Sequence, residues 1–213
     1  MTEQSSRNDG PIRLGVLLSG GGRTLANLLD LAEAGQFDAE IATVIASRPC
    51  RGLEVASNAH IPAQVVEYRK AESQQAYSDQ ISAILDSAEV DLVILAGFLS
   101  LWFLPERYVG RVMNIHPALL PMFGGKGMYG RRVHEAVLAA GCKISGCTVH
   151  YVNNEYDAGP IVAQVAVPVR EGDTAESLAA RVFEAECELY PHAIDLHAQG
   201  KLRIEGDIVH VDG

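Results

Sequence analysis

The sequence is poor in the features that mark secreted, metal-stapled or membrane-embedded chains. Its four cysteines, Cys50, Cys142, Cys147 and Cys187, form no CxxC pair. That argues against a zinc ribbon or a dithiol redox motif and predicts reduced thiols in a cytoplasmic protein. No apolar run approaches the ~20 residues of a membrane-spanning helix. Residues 1–11 are polar, with neither the apolar core of a signal peptide nor an Arg-rich transit face, and are expected to form a flexible tail. Basic side chains are also scarce, 17 against 27 acidic ones, for a formal charge of −10. That balance disfavours nucleic acid, because neutralising phosphates requires a surplus of Lys and Arg. It leaves room for a small phosphorylated ligand held by a few amides and an arginine. The chain contains no internal repeat and no low-complexity segment.

What is present is a globular composition, 48% hydrophobic over 213 residues, enough for one α/β domain that folds without disulfides or metal. Apolar runs alternate with helical patterns along the first half. Strands are predicted at 12–18, 41–47, 63–68, 91–96 and 111–115, with helices at 24–34, 51–60 and 72–87. This alternation predicts a doubly wound, mostly parallel sheet with helices on both faces, in which ligands collect at the carboxyl ends of the strands. The second half reads as a hairpin (144–153 and 161–169), a long amphipathic helix (175–199) and a terminal hairpin (202–204 and 208–211).

Three loops at the expected ligand edge carry unusual chemistry. The first is Gly20-Gly21-Gly22-Arg23-Thr24, between a strand and a helix, where free backbone N–H groups and the helix dipole favour an anion. The plainer reading is a tight turn that needs positive φ; three successive glycines exceed that need. Leu25 stands where a dinucleotide fingerprint wants its third glycine, Ser47 and Arg48 stand where it wants an acid, and no GK[ST] follows. A single phosphate is the better match. The second loop follows Ala96. The third leaves a strand as NIHPALLP, 114–121, where alternation sets Asn114 and His116 on one side. An amide beside an imidazole supplies the donors that a developing oxyanion requires. A metal site of His116, His150 and Asp157 has no HxH or HxxxH pair to anchor it, and none is expected.

The strings SGGGRTL, ILAGF, NIHPALLP, CTVHYV, YDAGPIVAQ and EAECELYP resemble, in order and spacing, those of the phosphoribosylglycinamide formyltransferases, a branch of the folate-dependent formyltransferase family. The match runs from Ile12 to Gly200. The resemblance implies a Rossmann-like formyltransferase fold spanning 12–213, with a phosphate-binding half at about 12–115 and a folate and catalytic half at about 90–200. It implies formyl transfer from 10-formyltetrahydrofolate, as co-substrate, to phosphoribosylglycinamide in purine biosynthesis. Asn114, His116 and Asp157 take the catalytic positions, and His150 lies beside them as support. Gly21, Gly22, Arg23 and Thr24 take the acceptor phosphate, and Glu186 its ribose. Folate binding falls to Phe98, Leu99, Ser100, Leu101 and Trp102 and to Asn153, Asn154, Glu155 and Tyr156, although Trp102 and the leucines read equally well as core.

The chain departs from the pattern at Ser100, where relatives often carry a base, at Gln74, where some carry arginine, and in the long glycine-rich segment 122–130. A methionyl-tRNA formyltransferase would need a basic RNA-binding domain, which this acidic sequence does not offer. A formyltetrahydrofolate hydrolase would lack the triple-glycine loop. A non-catalytic sugar-nucleotide binder would not need Asn114, His116 and Asp157 together. Small-molecule substrates alone are expected, with no membrane partner, in a monomer or homodimer.

Overall fold

The computed structural model describes residues 10–212; positions 1–9 of the expected tail and Gly213 lie outside the described residues. Nine strands form one sheet in the order β3-β2-β1-β4-β5-β6-β7-β9-β8. These are β1 (Ile12–Leu18), β2 (Ala39–Ala46), β3 (Ala63–Val65), β4 (Leu92–Leu95), β5 (Val112–His116), β6 (Ile144–Tyr151), β7 (Ile161–Pro168), β8 (Leu202–Glu205) and β9 (Ile208–Val211). Strands β3, β2, β1, β4 and β5 run parallel. Strand β6 then pairs antiparallel with both β5 and β7. The chain direction therefore reverses beside β5, the strand that carries Asn114 and His116.

The alternation of each strand decides which helix it meets. Leu14, Val16 and Leu18 of β1 point into one core with Leu25 and Leu28 of α1 (Arg23–Glu33) and Ala56 of α2 (Arg51–Asn58). That core also takes Val137 of α4 (Arg131–Ala139) and Leu178 and Val182 of α5 (Ala175–Ala198). Leu17 faces the other way, into a second core with Tyr77, Ile81 and Leu85 of α3 (Gln74–Ser87). Helices thus cover both faces, as the mixed apolar runs predict. Ser73 caps α3 by accepting from the Ala76 N–H, and Thr174 with Ser177 forms a capping box that starts α5.

Three expectations change. The third strand stops at Val65, because Tyr68–Lys70 turn as a short 3-10 helix. The sequence reading gave no element to 131–139, yet α4 forms there, burying Val133, His134 and Val137 against its neighbours. The connection between β6 and β7 is a loop of 152–160 rather than a short turn. Its geometry is fixed by close approach: a Cβ on Gly159 would stand 1.9 Å from the Tyr151 carbonyl oxygen.

Candidate active site

A cleft of about 640 Å³ opens at the carboxyl ends of β1, β4 and β5. One end is built by the glycine loop. Gly22 is the N-cap of α1 in a left-handed conformation (φ 73°), and no side chain caps the helix. Gly20, Gly21, Gly22, Arg23 and Thr24 all line the cleft, so the helix N-terminus presents amides toward it. Arg23 lies over the Phe183 ring at 4.0 Å from its centroid. Glu186, one turn before Tyr190 on α5, faces the same end. Tyr190 fixes that helix by donating its hydroxyl to the Met113 carbonyl at 2.8 Å. Burial pushes the Glu186 carboxyl up to about 7, against the opposing pull of Arg23. Lys126 and Arg132 also border the cleft, so a chain of net charge −10 gathers three cations around this opening.

The other end holds the three residues singled out from the sequence, and Asp157 is the one that joins them. Its Oδ1 accepts from the Asn114 amide at 3.4 Å, and its Oδ2 lies 3.5 Å from His116 Nδ1 and accepts from the Gly125 N–H at 2.9 Å. Asp157 has a left-handed backbone (φ 53°), a conformation that Asp and Asn tolerate better than most residues. His150, across the ladder from Asn114, donates through Nδ1 to the Tyr151 carbonyl at 2.8 Å. Its Nε2 then accepts from the Asn114 amide at 3.0 Å. His150 thus holds the orientation of the Asn114 amide. The exit of β5 is held by Thr148, whose hydroxyl donates to the Ala118 carbonyl and accepts from the Leu120 N–H. That brace is invisible in the NIHPALLP string itself.

His116 is buried, and its Nε2 donates to the Phe123 carbonyl at 2.8 Å. Both ring nitrogens therefore face acceptors, an arrangement that suits the doubly protonated ring. Burial opposes this more strongly than Asp157 and Phe123 favour it, so the pKa is lowered, not raised as a neighbouring carboxylate alone would dictate. Burial also works to raise the Asp157 pKa. His150, His116 and the Gly125 N–H together outweigh it, and the net direction is down. The site thus favours a carboxylate beside a neutral imidazole at neutral pH.

The segments assigned to folate divide. Phe98, Leu99 and Tyr156 line the cleft, whereas Ser100, Leu101, Trp102, Asn153, Asn154 and Glu155 do not. Trp102 is core: it is buried, donates its indole N–H to Ser82 and packs edge-on against Tyr108. Asn154 accepts from the Leu104 N–H and so ties the two segments together, while Asn153 closes a local turn on the Glu155 N–H. Gln74 donates to the Leu101 carbonyl at 2.7 Å, so it anchors the loop after β4. Sequence reading missed Lys126, Tyr129, Arg132 and His134 as cleft residues, because they lie on the glycine-rich segment and on the unassigned α4. Among the described residues, no group of three or more His, Cys, Asp or Glu is arranged to hold a metal ion.

A mostly parallel sheet that sets Asn114 and His116 at the end of β5, with Asp157 brought to them by the 152–160 loop, opposite a glycine loop, defines a class, and the family comparison gives the same class. The formyl transferase model matches residues 12–194, and the chain belongs to that family. Among its relatives is phosphoribosylglycinamide formyltransferase of Haemophilus influenzae, 35% identical over 94% of each chain. The solved glycinamide ribonucleotide transformylase 1 of Symbiobacterium toebii is 38% identical and superposes with a TM-score of 0.88, covering 97% of this chain and 96% of that one. The trifunctional purine biosynthetic protein adenosine-3 of Gallus gallus is 37% identical over 91% of this chain, which spans 19% of that protein's length. No helix among the described residues is long and apolar enough to cross a membrane.

Proposed function

We propose that the chain transfers a formyl group from 10-formyltetrahydrofolate to the amine of phosphoribosylglycinamide. The observation that carries this reading is the pairing, in one cleft, of an Asn114–His116–Asp157 cluster with an anion-favouring glycine loop flanked by Arg23. The loop and Arg23 hold the acceptor's phosphate, and Glu186 takes its ribose hydroxyls. Phe98, Leu99 and Tyr156 contact the folate. The division into a phosphate-binding half (about 12–115) and a folate and catalytic half (about 90–200) belongs to the same reading.

The folate co-substrate supplies the formyl group. Attack by the neutral amine places negative charge on the formyl oxygen. Asn114 and His116 donate hydrogen bonds to that oxygen, which stabilises charge only as it develops. In the structure these donors are engaged by Asp157, His150 and the Phe123 carbonyl. The 3.4 Å Asn114–Asp157 bond is the longest of these and the first to give way. Charge on the substrate oxygen then offsets the burial that keeps His116 neutral, so the ring takes the proton that the attacking amine sheds; Asp157 holds the resulting imidazolium, and that proton passes on to the leaving folate nitrogen as its bond to the formyl carbon breaks.

The surplus of acidic side chains weighs against a nucleic-acid partner, and the reading takes the chain as a cytoplasmic enzyme acting on small molecules, a monomer or homodimer without a membrane partner. The test is turnover of 10-formyltetrahydrofolate with three acceptors side by side: phosphoribosylglycinamide, methionyl-tRNA and water. Transfer to phosphoribosylglycinamide should dominate; preferred hydrolysis or tRNA formylation would replace this reading with that of a sister activity.

A further inference from the structure

One wall of the cleft carries a side chain that the reading above leaves unused. His134, on α4, is 4% exposed, and its Nδ1 is sealed from solvent with no hydrogen-bond partner. A buried polar atom left unpaired destabilises a fold. Packing gives no reason to keep an imidazole here, since Val133 and Val137 on the same helix fill the core beside it. A leucine would occupy the space without the unpaired nitrogen.

The ring has one outlet. His134 lines the cleft, and its sealed nitrogen is Nδ1, which leaves Nε2 as the ring's polar atom for a ligand there. It stands within electrostatic reach of both His116 and Arg23, so it lies between the catalytic end and the anion end. Burial, with those two neighbours, lowers its pKa and keeps it uncharged at neutral pH. An uncharged imidazole at this place is a hydrogen-bonding group for a neutral oxygen rather than a second cation for the phosphate.

We propose that His134 is a further positioning residue for the acceptor, its Nε2 hydrogen-bonding a hydroxyl or carbonyl oxygen in the part that joins the phosphate to the reacting amine. The assignment rests on the reading of this cleft as the phosphoribosylglycinamide site. It gives α4 a function beyond packing. It also accounts for a polar atom that the fold retains without partner, because a preorganised binding group trades stability for affinity.

The experiment combines two variants with a measurement on the unaltered protein. Acceptor binding is measured by calorimetry without folate, the KM of each substrate by turnover, and stability by thermal melting. In His134→Leu the acceptor Kd and KM should rise about 10-fold, with the folate KM unchanged and the melting temperature not lowered. His134→Gln, which keeps a side-chain donor, should recover most of that loss. In the unaltered protein, the ¹⁵N resonances of the His134 ring should shift when phosphoribosylglycinamide is added and stay fixed with folate alone. Wild-type acceptor affinity in folded His134→Leu, an equal rise in both KM values, or ring resonances indifferent to the acceptor would each overturn the proposal while leaving the proposed function standing. Failure of the unaltered protein to bind or formylate the acceptor would instead remove the underlying reading and this one with it.

Discussion

Gly22 and Gly52 touch backbone to backbone: a Cβ built on Gly22 would stand 2.7 Å from the Gly52 Cα. The contact joins the N-cap of α1 to the first turn of α2, and the Gly52 N–H donates to the Gly20 carbonyl at 3.0 Å. The glycine loop is thus shaped partly by helix packing. Its members are not interchangeable as probes of anion binding.

Gly22→Ala should therefore act on the fold. It combines an unfavourable φ with a backbone clash, and should destabilise by about 2 kcal/mol or more. Gly21 has no atom within 4 Å of its added Cβ and no positive φ. Gly21→Val should melt near the wild-type temperature while raising the acceptor KM about 10-fold and leaving that of folate alone. Melting curves and two KM values separate these outcomes. A stable Gly21→Val with unchanged acceptor KM would return the loop to a purely structural role.

Asn114→Ala and His116→Ala should each lower kcat by about 10²-fold or more, with little change in folding. Asn114 is the more diagnostic of the two, since its amide meets both His150 and Asp157. Turnover near wild type in a folded variant would remove that residue from the stabilisation of the oxyanion.

Glu186 links stability to pH in a direction that can be stated in advance. Its folded-state pKa, about 7, lies above the ordinary value of 4.5. The folded protein therefore keeps this proton while the unfolded chain loses it, and stability falls as pH rises from 4.5 through 7. Glu186→Gln should stabilise at pH 8 by about 2 kcal/mol, allowing for solvent in the cleft, and be nearly silent at pH 4.5. The same variant should raise the acceptor KM. Stabilisation that does not depend on pH would contradict the raised carboxyl.

Much of this was legible in the sequence, for identifiable reasons. Strands buried on both faces are continuous apolar runs, so β1, β2 and β4 declare themselves, and period-two alternation set Asn114 and His116 together on β5. The glycine loop and Asp157 were legible through motifs. The direction of the His116 pKa was not legible, because a carboxylate neighbour can be read from the motif, whereas the burial that outweighs it exists only in the folded chain. Trp102 was ambiguous because an aromatic after a ligand-edge strand serves a core or a ring-binding wall equally well. The α4 helix went unread behind four glycines between 124 and 130, and with it went Arg132 and His134. Gly124 shows why that segment matters: a Cβ there would press on Leu120 at 2.5 Å and on the Cβ of Asp157 at 3.2 Å.

The segment 122–130 contacts His116 and Asp157 directly, through the Phe123 carbonyl on His116 and the Gly125 N–H on Asp157. For His116 to donate to substrate, the Phe123 carbonyl must give up that hydrogen. Amide exchange across 122–130 should therefore change when folate and acceptor are bound together. Identical exchange in the free and ternary states would mean that the segment is static and that His116 meets substrate without releasing Phe123.

Asp157→Asn tests the mechanism most closely, because it removes the charge while keeping the size and one of the two acceptor oxygens. Asn adopts the left-handed backbone that Asp157 holds at least as well as Asp does, and its carbonyl oxygen still accepts from the Gly125 N–H, at the cost of the weak 3.4 Å bond from the Asn114 amide, which then faces a second NH2 group. The fold and the loop of 152–160 should therefore survive. What disappears is the negative charge 3.5 Å from His116 Nδ1, one of the two influences that raise an otherwise depressed pKa. Without it the ring's pKa falls further. If the protonated ring is the working donor, activity is lost as pH rises through that pKa, so the alkaline limb of kcat should move to lower pH. Turnover at neutral pH should fall about 10²-fold, with both substrate affinities little changed. A turn-capping role for Asp157 predicts instead a nearly silent substitution, since Asn is an equally good turn residue. Wild-type kcat and an unmoved pH profile in Asp157→Asn would end the catalytic assignment. Loss of folate affinity alone would make Asp157 a binding residue.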